Sequence, residues 1–265
     1  MIKKIAYFNG CVAQQSAKEN NMATRAICRK IGIELVDLPF HCCGGGLIHQ
    51  VDQKTFQELN KYNLNLLLNE KLDVLTICSI CNYSLKLAIN SENLKMIKVI
   101  SLEEAIILEF GLDRLEKFIK KRFDNLKIAP FYGCRSLRPK EFNPFNDSLN
   151  PYFLKDFISF LGGDPIDYSH SKKCCGFPDL YVNKKIAIKM ANDIIYDASN
   201  NGSELIVTPC PLCQMMLDIY QNKKAKIPIL HFSQMLGIAL GIPYKELGLD
   251  MNITSTKYLR RKFYE

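Results

Sequence analysis

Cysteine is the side chain through which this chain of 265 residues can do chemistry, and there are eleven of them, at 11, 28, 42, 43, 78, 81, 134, 174, 175, 210 and 213. With Cys28 set aside, they fall into two groups of five that share one grammar. Cys11 is followed after thirty residues by Cys42-Cys43 and after thirty-four more by Cys78-x-x-Cys81; Cys134 is followed after thirty-nine by Cys174-Cys175 and after thirty-four by Cys210-x-x-Cys213. Equal inner gaps and similar outer gaps mark an internal duplication. The spacing is too sparse for a small disulfide scaffold, and no secretory signal supports one. Thiolate sulfur suits zinc or iron–sulfur clusters. One tetrahedral zinc takes four ligands, so five cysteines per half leave one over. Adjacent thiolates can instead serve different irons of a polynuclear cluster, and the Cys-Cys pair favours that reading. The C-x₂-C-x₂-C-x₃-C-P run of ordinary ferredoxins does not occur, so a separate redox partner is implied. A thioredoxin-like role for each Cys-x-x-Cys conflicts with its synchrony with an upstream Cys-Cys in both halves.

The segments that carry these cysteines repeat as well. KKIAYFNGC near the start answers LKIAPFYGC at 126–134, HCCGGG at 41–46 answers KCCGFP at 173–178, and LDVLTICSIC at 72–81 answers ELIVTPCPLC at 204–213. Each half reads as a strand into a Gly-Cys turn and then a helix, near Lys18 to Ile31 and near Tyr152 to Leu161. A short strand follows, IELVDLP in the first half, then the Cys-Cys turn. Helices near Lys54 to Asn69 and Lys184 to Ser199 lead to apolar strands ending at the Cys-x-x-Cys. The expected fold is α/β: two duplicated, Rossmann-like lobes with parallel sheets and the cysteine motifs at strand ends. The expected domains are 1–115 and 116–245, with a basic tail at 246–265 read as a docking segment; the boundary falls in the charged stretch Gly111 to Lys127. Strand ends of a parallel sheet gather on one edge, where ligands sit. At a strand-to-helix passage the helix dipole favours thiolate, and Pro211 suits the first helical position. Gly44 and Gly176, after the Cys-Cys pairs, let the backbone wrap a bulky group and are candidate cofactor-binding residues.

Apolar residues make up 48% and charged residues 23% of the chain, ordinary for a globular protein. The formal charge of +8 would become −2 with ten bound thiolates, so the surplus suits anionic metal clusters. The basic stretches KFIKKRF (Lys117 to Phe123) and KYLRRKF (Lys257 to Phe263) read as solvated helix faces or a docking patch, and no motif supports nucleic-acid binding. No apolar run is long enough for a transmembrane segment, no G-x-G-x-x-G follows a strand, and the expected location is cytoplasmic.

The twice-repeated GC…CCG…CxxC, covering about residues 5–215, resembles the cysteine-rich CCG-domain family, to which the B-type subunit of heterodisulfide reductase belongs. The resemblance implies that Cys11, Cys42, Cys43, Cys78 and Cys81 hold one noncubane [4Fe-4S] cluster, and Cys134, Cys174, Cys175, Cys210 and Cys213 a second. Some members place zinc in one half, which leaves zinc open there. The implied function is that of an oxidoreductase component that cleaves, or in reverse forms, a disulfide between two clusters, with a disulfide or thiol as substrate. The implied partners are a ferredoxin-like iron–sulfur protein (C-type in such complexes) and a flavin protein (A-type), with peripheral membrane association through partners. Two alternatives stand beside it: an electron-transfer component of a succinate dehydrogenase, fumarate reductase or 2-hydroxy acid oxidase complex, and a zinc-stabilised assembly protein.

Other residues carry weaker signals. Cys28 reads as a small buried residue of an amphipathic helix. His41 and His170 flank the Cys-Cys turns and are candidates for proton relay or cluster tuning, against a plain surface role. His49 and His231 carry no legible signal. Met215-Met216 reads as core packing. The loop at 139–151 reads as a surface loop or the border of a substrate channel, and 228–242, PILHFSQMLGIALGI, as a core strand–helix unit or a peripheral membrane contact.

Overall fold

The computed structural model describes residues 2–92, 94, 96–145, 149–222 and 226–265. Strands β1 (Lys4–Phe8), β2 (Glu34–Val36), β3 (Val74–Thr76) and β4 (Val99–Ser101) form a parallel sheet in the order β2-β1-β3-β4. Strands β5 (Lys127–Pro130), β6 (Asp164–Pro165), β7 (Leu205–Thr208) and β8 (Ile229–His231) repeat that order as β6-β5-β7-β8. The register repeats too, with Ala6 opposite Val74 in one sheet and Ala129 opposite Ile206 in the other. The α/β reading with two duplicated lobes therefore holds.

Parallel neighbours need long crossovers, and amphipathic helices supply them. Helix Lys18–Ile31 buries Ala23, Ala26, Ile27 and Ile31, spaced to share one face, and stops at Gly32, whose φ of 79° is left-handed. Helices Gln53–Glu70 and Lys184–Asn200 start at equivalent caps: the side chain of Asp52 accepts from the Thr55 N–H, and that of Asn183 from the Ile186 N–H. Strands β3 and β7 are buried along their whole length, as expected of sheets covered on both faces. After β4, Ser101 and Glu104 form a capping box that opens a short helix, which continues as a π-helical turn over Ala105–Gly111.

The lobes are not separate bodies. Helix Lys18–Ile31 of the first packs on helix Phe232–Ala239 of the second, and one core joins Ile27 and Leu75 to Phe157 and Phe232. The stretch 228–242 supplies β8 and that buried helix, so it offers no face to a membrane. No helix among the described residues is long and apolar enough to cross one. The basic tail packs onto the second lobe. Its helix Lys257–Tyr264 buries Leu259 and Phe263, the Phe263 ring lies 4.7 Å from that of Phe123, and Tyr264 donates to the carbonyl of Ile242 at 2.8 Å. Two apolar residues four apart give this short helix an inner face, which leaves only its basic side free. The stretch 117–123 is not a solvated helix face either: the helix ends at Glu116, Phe123 is buried, and Lys121 donates to the carbonyl of Phe263. The loop at 139–151 bridges the lobes through Lys86 Nζ on the Phe142 carbonyl at 3.1 Å, while Phe145 stacks on Phe153; residues 146–148 of that loop lie outside the described residues.

Candidate metal centre

In each sheet the crossovers leave the first and third strands in opposite directions, so a crevice opens at their carboxyl ends. Asn9-Gly10-Cys11 leaves the end of β1, and Ile77-Cys78 the end of β3. The Cys42-Cys43 turn follows β2 and returns to the same edge, where the Cys43 sulfur lies 3.3 Å from that of Cys81 and the Cys42 sulfur 3.7 Å from that of Cys11. The second lobe repeats the gathering: Cys134, Cys174, Cys175, Cys210 and Cys213 line one cavity, and Cys134 acts on the acidity of Cys174 as Cys213 does on that of Cys175. The structure thus gathers five sulfurs at each sheet edge and leaves Cys28 in the core, 1% exposed. It also joins the two groups, because the sulfurs of Cys78 and Cys210 stand 4.0 Å apart across the seam between the lobes.

Electrostatics within each group are frustrated in the same way. Cys42 is drawn down to about 2 by hydrogen bonds from Cys11 and Cys43 and by the Gly44 N–H at 3.4 Å. Cys174 is likewise drawn down to about 2 by Cys134, Cys175 and the Gly176 N–H. Cys43 is pushed up to about 11, chiefly by its bond to Cys42, and Cys11, Cys134 and Cys175 are pushed up for the same reason. One sulfur in a contact pair takes the charge and its neighbour keeps the proton. A helix dipole acting alone would favour thiolate at both Cys-x-x-Cys turns, since Cys78 and Cys210 are each the N-cap of a helix, with Pro211 next in the second. Only Cys210 is lowered, by Cys213, Cys78 and two backbone N–H groups; Cys78 is raised because it gives its proton to Cys210.

Glycines make the crowding feasible. Gly44 and Gly176 adopt left-handed φ values of 66° and 85° and aim their N–H groups at Cys42 and Cys174. Two further glycines, which the sequence reading misses, matter as much. Gly10 and Gly133, at φ 75° and 72°, lie so near the opposite end of each motif that a Cβ would meet Cys81 Sγ at 3.0 Å and Cys213 Sγ at 3.1 Å. The doublets Gly10-Cys11 and Gly133-Cys134, present in both repeats, were the available signal.

A buried polar seam holds the two groups in register. Asn20 donates to Gln214, next to Cys213, at 2.5 Å, and Gln214 donates to Gln234 at 3.2 Å. His231, which carries no sequence signal, is fully buried: Nδ1 accepts from the Ser233 N–H, and Nε2 lies 3.1 Å from the carbonyl of Ile77, the residue before Cys78 in the other lobe. A carbonyl only accepts, so the ring is the Nε2–H tautomer. Burial lowers its pKa to about 4. His41 lies against the tilted Tyr62 ring with centroids 4.2 Å apart, and His170 Nδ1 pairs with Asp197 at 2.7 Å. Neither histidine lines the cavities described next. Met216 is fully buried, as core packing requires.

Two cavities border the sulfurs. One of about 250 Å³ lies beside Cys11, Cys42, Cys78 and Cys81, and one of about 220 Å³ beside Cys134, Cys174, Cys210 and Cys213. They share Gly46, Ile80, Phe177 and Leu212, so both cysteine groups face a common cleft.

These residues fit a thiolate-bound metal group: sulfurs in pairs at 3.3 to 4.0 Å, N–H donors and glycines that leave room for sulfur border the cavities. Crowded thiols that deprotonate against one another are the environment a cationic metal group relieves.

Comparison with known proteins follows the same repeat. The family model for the CCG cysteine-rich domain matches residues 5–86 and 128–218. The chain is 37% identical, over 96% of its length and 98% of the relative's, to the 8-methylmenaquinol:fumarate reductase membrane anchor subunit of Wolinella succinogenes. It is 29% identical, over 99% and 97%, to the B-type subunit of a CoB-CoM heterodisulfide reductase of Methanosarcina acetivorans. Among solved structures, a hypothetical protein from Helicobacter pylori shares the fold with a TM-score of 0.76 at 18% identity, covering 97% of this chain and 53% of that one.

Proposed function

Since this chain belongs to the CCG cysteine-rich-domain family, whose full-length relatives are oxidoreductase subunits, we propose that it is an iron–sulfur electron-transfer protein exchanging electrons between a fumarate reductase-type partner and a quinone. The observation that carries this reading is the common cleft: two groups of five cysteines meet at the Cys78–Cys210 contact of 4.0 Å and both open onto one cavity system, apolar on the first-lobe side. In this reading Cys11, Cys42, Cys43, Cys78 and Cys81 hold one noncubane [4Fe-4S] cluster and Cys134, Cys174, Cys175, Cys210 and Cys213 the other. When bound, such clusters supply one-electron transfer, and a neighbouring pair matches a two-electron substrate.

The chain's own residues do the rest. Gly44 and Gly176 offer N–H groups to the paired cysteines, which stabilises negative charge on sulfur. His231 and the Asn20–Gln214 bond hold the lobes at fixed separation, so the distance between the two sites is set by the fold. Phe177, Ile80 and Leu212, shared by both cavities, exclude water from the space between. Electrons pass between this chain and partner proteins, one ferredoxin-like with iron–sulfur clusters and one carrying flavin.

A second reading, reductive cleavage of a disulfide, is favoured by the same cleft, because each sulfur of a bound disulfide would face a different cysteine group. Iron, sulfide and zinc per chain, measured after anaerobic purification, test the common ground, and EPR during redox titration with a naphthoquinone or a disulfide separates the two readings. About eight irons and a quinone-dependent signal support the first. A signal that needs a thiol or disulfide supports the second. Zinc alone after attempted iron–sulfur reconstitution overturns both.

A further inference from the structure

The lobes are copies, yet the walls they give to the cleft differ in kind. Cys11 is followed by Val12 and Ala13, which line the first cavity with Leu47, Ile48 and Tyr181. Cys134 is followed by Arg135-Ser136-Leu137-Arg138, and both arginines line the second cavity with Gln50. Arg135 spans the seam, its guanidinium 4.0 Å from the ring centroid of Tyr83 in the first lobe. Among the described residues neither arginine has a carboxylate within ion-pair distance, so no acidic side chain neutralises the charge they bring to the cleft. One end of the cleft is therefore a donor-rich head site and the other an apolar slot.

The apolar end continues onto the surface. Leu47 and Tyr181 belong to the cavity wall and are 42% and 69% exposed. Val51, Val182 and Ile186 follow them at 73%, 82% and 50%. The two segments are adjacent, since a Cβ on Gly46 would touch the Phe177 ring at 3.4 Å. Exposed apolar side chains on the rim of a cleft, as Leu47 and Tyr181 are, suit a binding surface.

We propose that the mouth shared by the two cavities, outside the space that the metal groups at the cysteines would fill, holds a lipid quinone in one orientation, with its ring oxygens accepting from Arg135 and Arg138 and its alkyl tail leaving between Leu47 and Tyr181 toward Val51, Val182 and Ile186. The inference rests on the quinone reading above and adds the residues that choose the substrate and aim it. A ring held this way has a cysteine group on either side, and the tail points out of the protein, where a long isoprenoid chain has room.

The test is equilibrium dialysis of the full, iron–sulfur-loaded chain in dilute non-ionic detergent with two probes, 2-methyl-1,4-naphthoquinone and its 3-decyl derivative. Each buried methylene is worth roughly fourfold in affinity, so four of them in contact give the decyl form an advantage of about 250-fold. Leu47→Asp and Val182→Asp, at exposed positions that a charge does not unfold, reduce that ratio to about tenfold or less and leave the tail-less probe unaffected. Arg138→Gln weakens both probes by about tenfold and preserves the ratio, with iron per chain unchanged. A ratio that survives both aspartates, or tail-less binding indifferent to Arg138→Gln, overturns the proposal. If the unaltered chain binds neither quinone while a disulfide binds, the quinone reading itself falls and takes the orientation with it.

Discussion

His231 ties the pH dependence of stability to the seam between the lobes. Its ordinary pKa near 6.5 falls to about 4 in the fold, because burial disfavours the charged ring. A base with a depressed folded pKa contributes its full stability above the unfolded value and loses it as pH falls through the window from 6.5 to 4. Between pH 7.5 and pH 5 the loss is about 2 kcal/mol, from the ratio of the two binding polynomials at 1.36 kcal/mol per decade. His231→Asn removes this titration and keeps a side-chain oxygen for the Ser233 cap, but it no longer reaches the Ile77 carbonyl. The variant is therefore less stable at pH 7.5 by about 1–3 kcal/mol, the cost of a buried acceptor without its donor. Guanidinium unfolding of both proteins, reduced and at matched metal content, followed by far-UV circular dichroism, should show the gap shrinking by about 2 kcal/mol on going to pH 5. Glu19 and Glu103, both raised to about 7 by burial, stabilise the fold as pH falls, but they do so in both proteins and cancel from the difference. A gap that stays constant, or widens with acid, would refute the assignment of a neutral histidine bridging the lobes.

Three further outcomes are expected. Gly10→Ala and Gly133→Ala each place a Cβ on a left-handed residue against the sulfur of Cys81 or Cys213, so each should cost about 1–2 kcal/mol and remove about four of eight irons, read by metal analysis. Cys28→Ala should leave iron per chain unchanged and lower stability by about 1–2 kcal/mol through lost packing, whereas Cys81→Ser should lose iron. Asp218→Ala should cost about 2–3 kcal/mol and expose the C-terminal segment to limited proteolysis, because its carboxylate accepts from the N–H groups of Ile253 and Thr254 at 2.7 and 2.8 Å.

Much of the architecture is legible in one dimension because it is local and it is written twice. Helix Lys18–Ile31 is marked by its apolar spacing and by Gly32, and Lys184–Asn200 by its pattern and polar cap, features that act within a turn or two of chain. The cysteine spacing puts the two groups of five at strand ends, since a parallel sheet sends those ends to one edge whatever the side chains are. What the spacing could not carry is how the copies meet. The approach of Cys78 to Cys210, the histidine that reaches from β8 to Ile77, and the arginines set opposite an apolar wall join residues more than a hundred positions apart or belong to opposite lobes. The tail follows the same rule: its basic composition suggests a docking segment, and only the structure shows that Leu259 and Phe263 are buried against a surface far away in sequence. Sequence by itself determined which sulfurs gather in each lobe, because strand, turn and helix propensities are short-range. Only tertiary packing decided that the two gatherings face one cleft and which side chains line its two ends, because those properties depend on which surfaces the two lobes bury against each other.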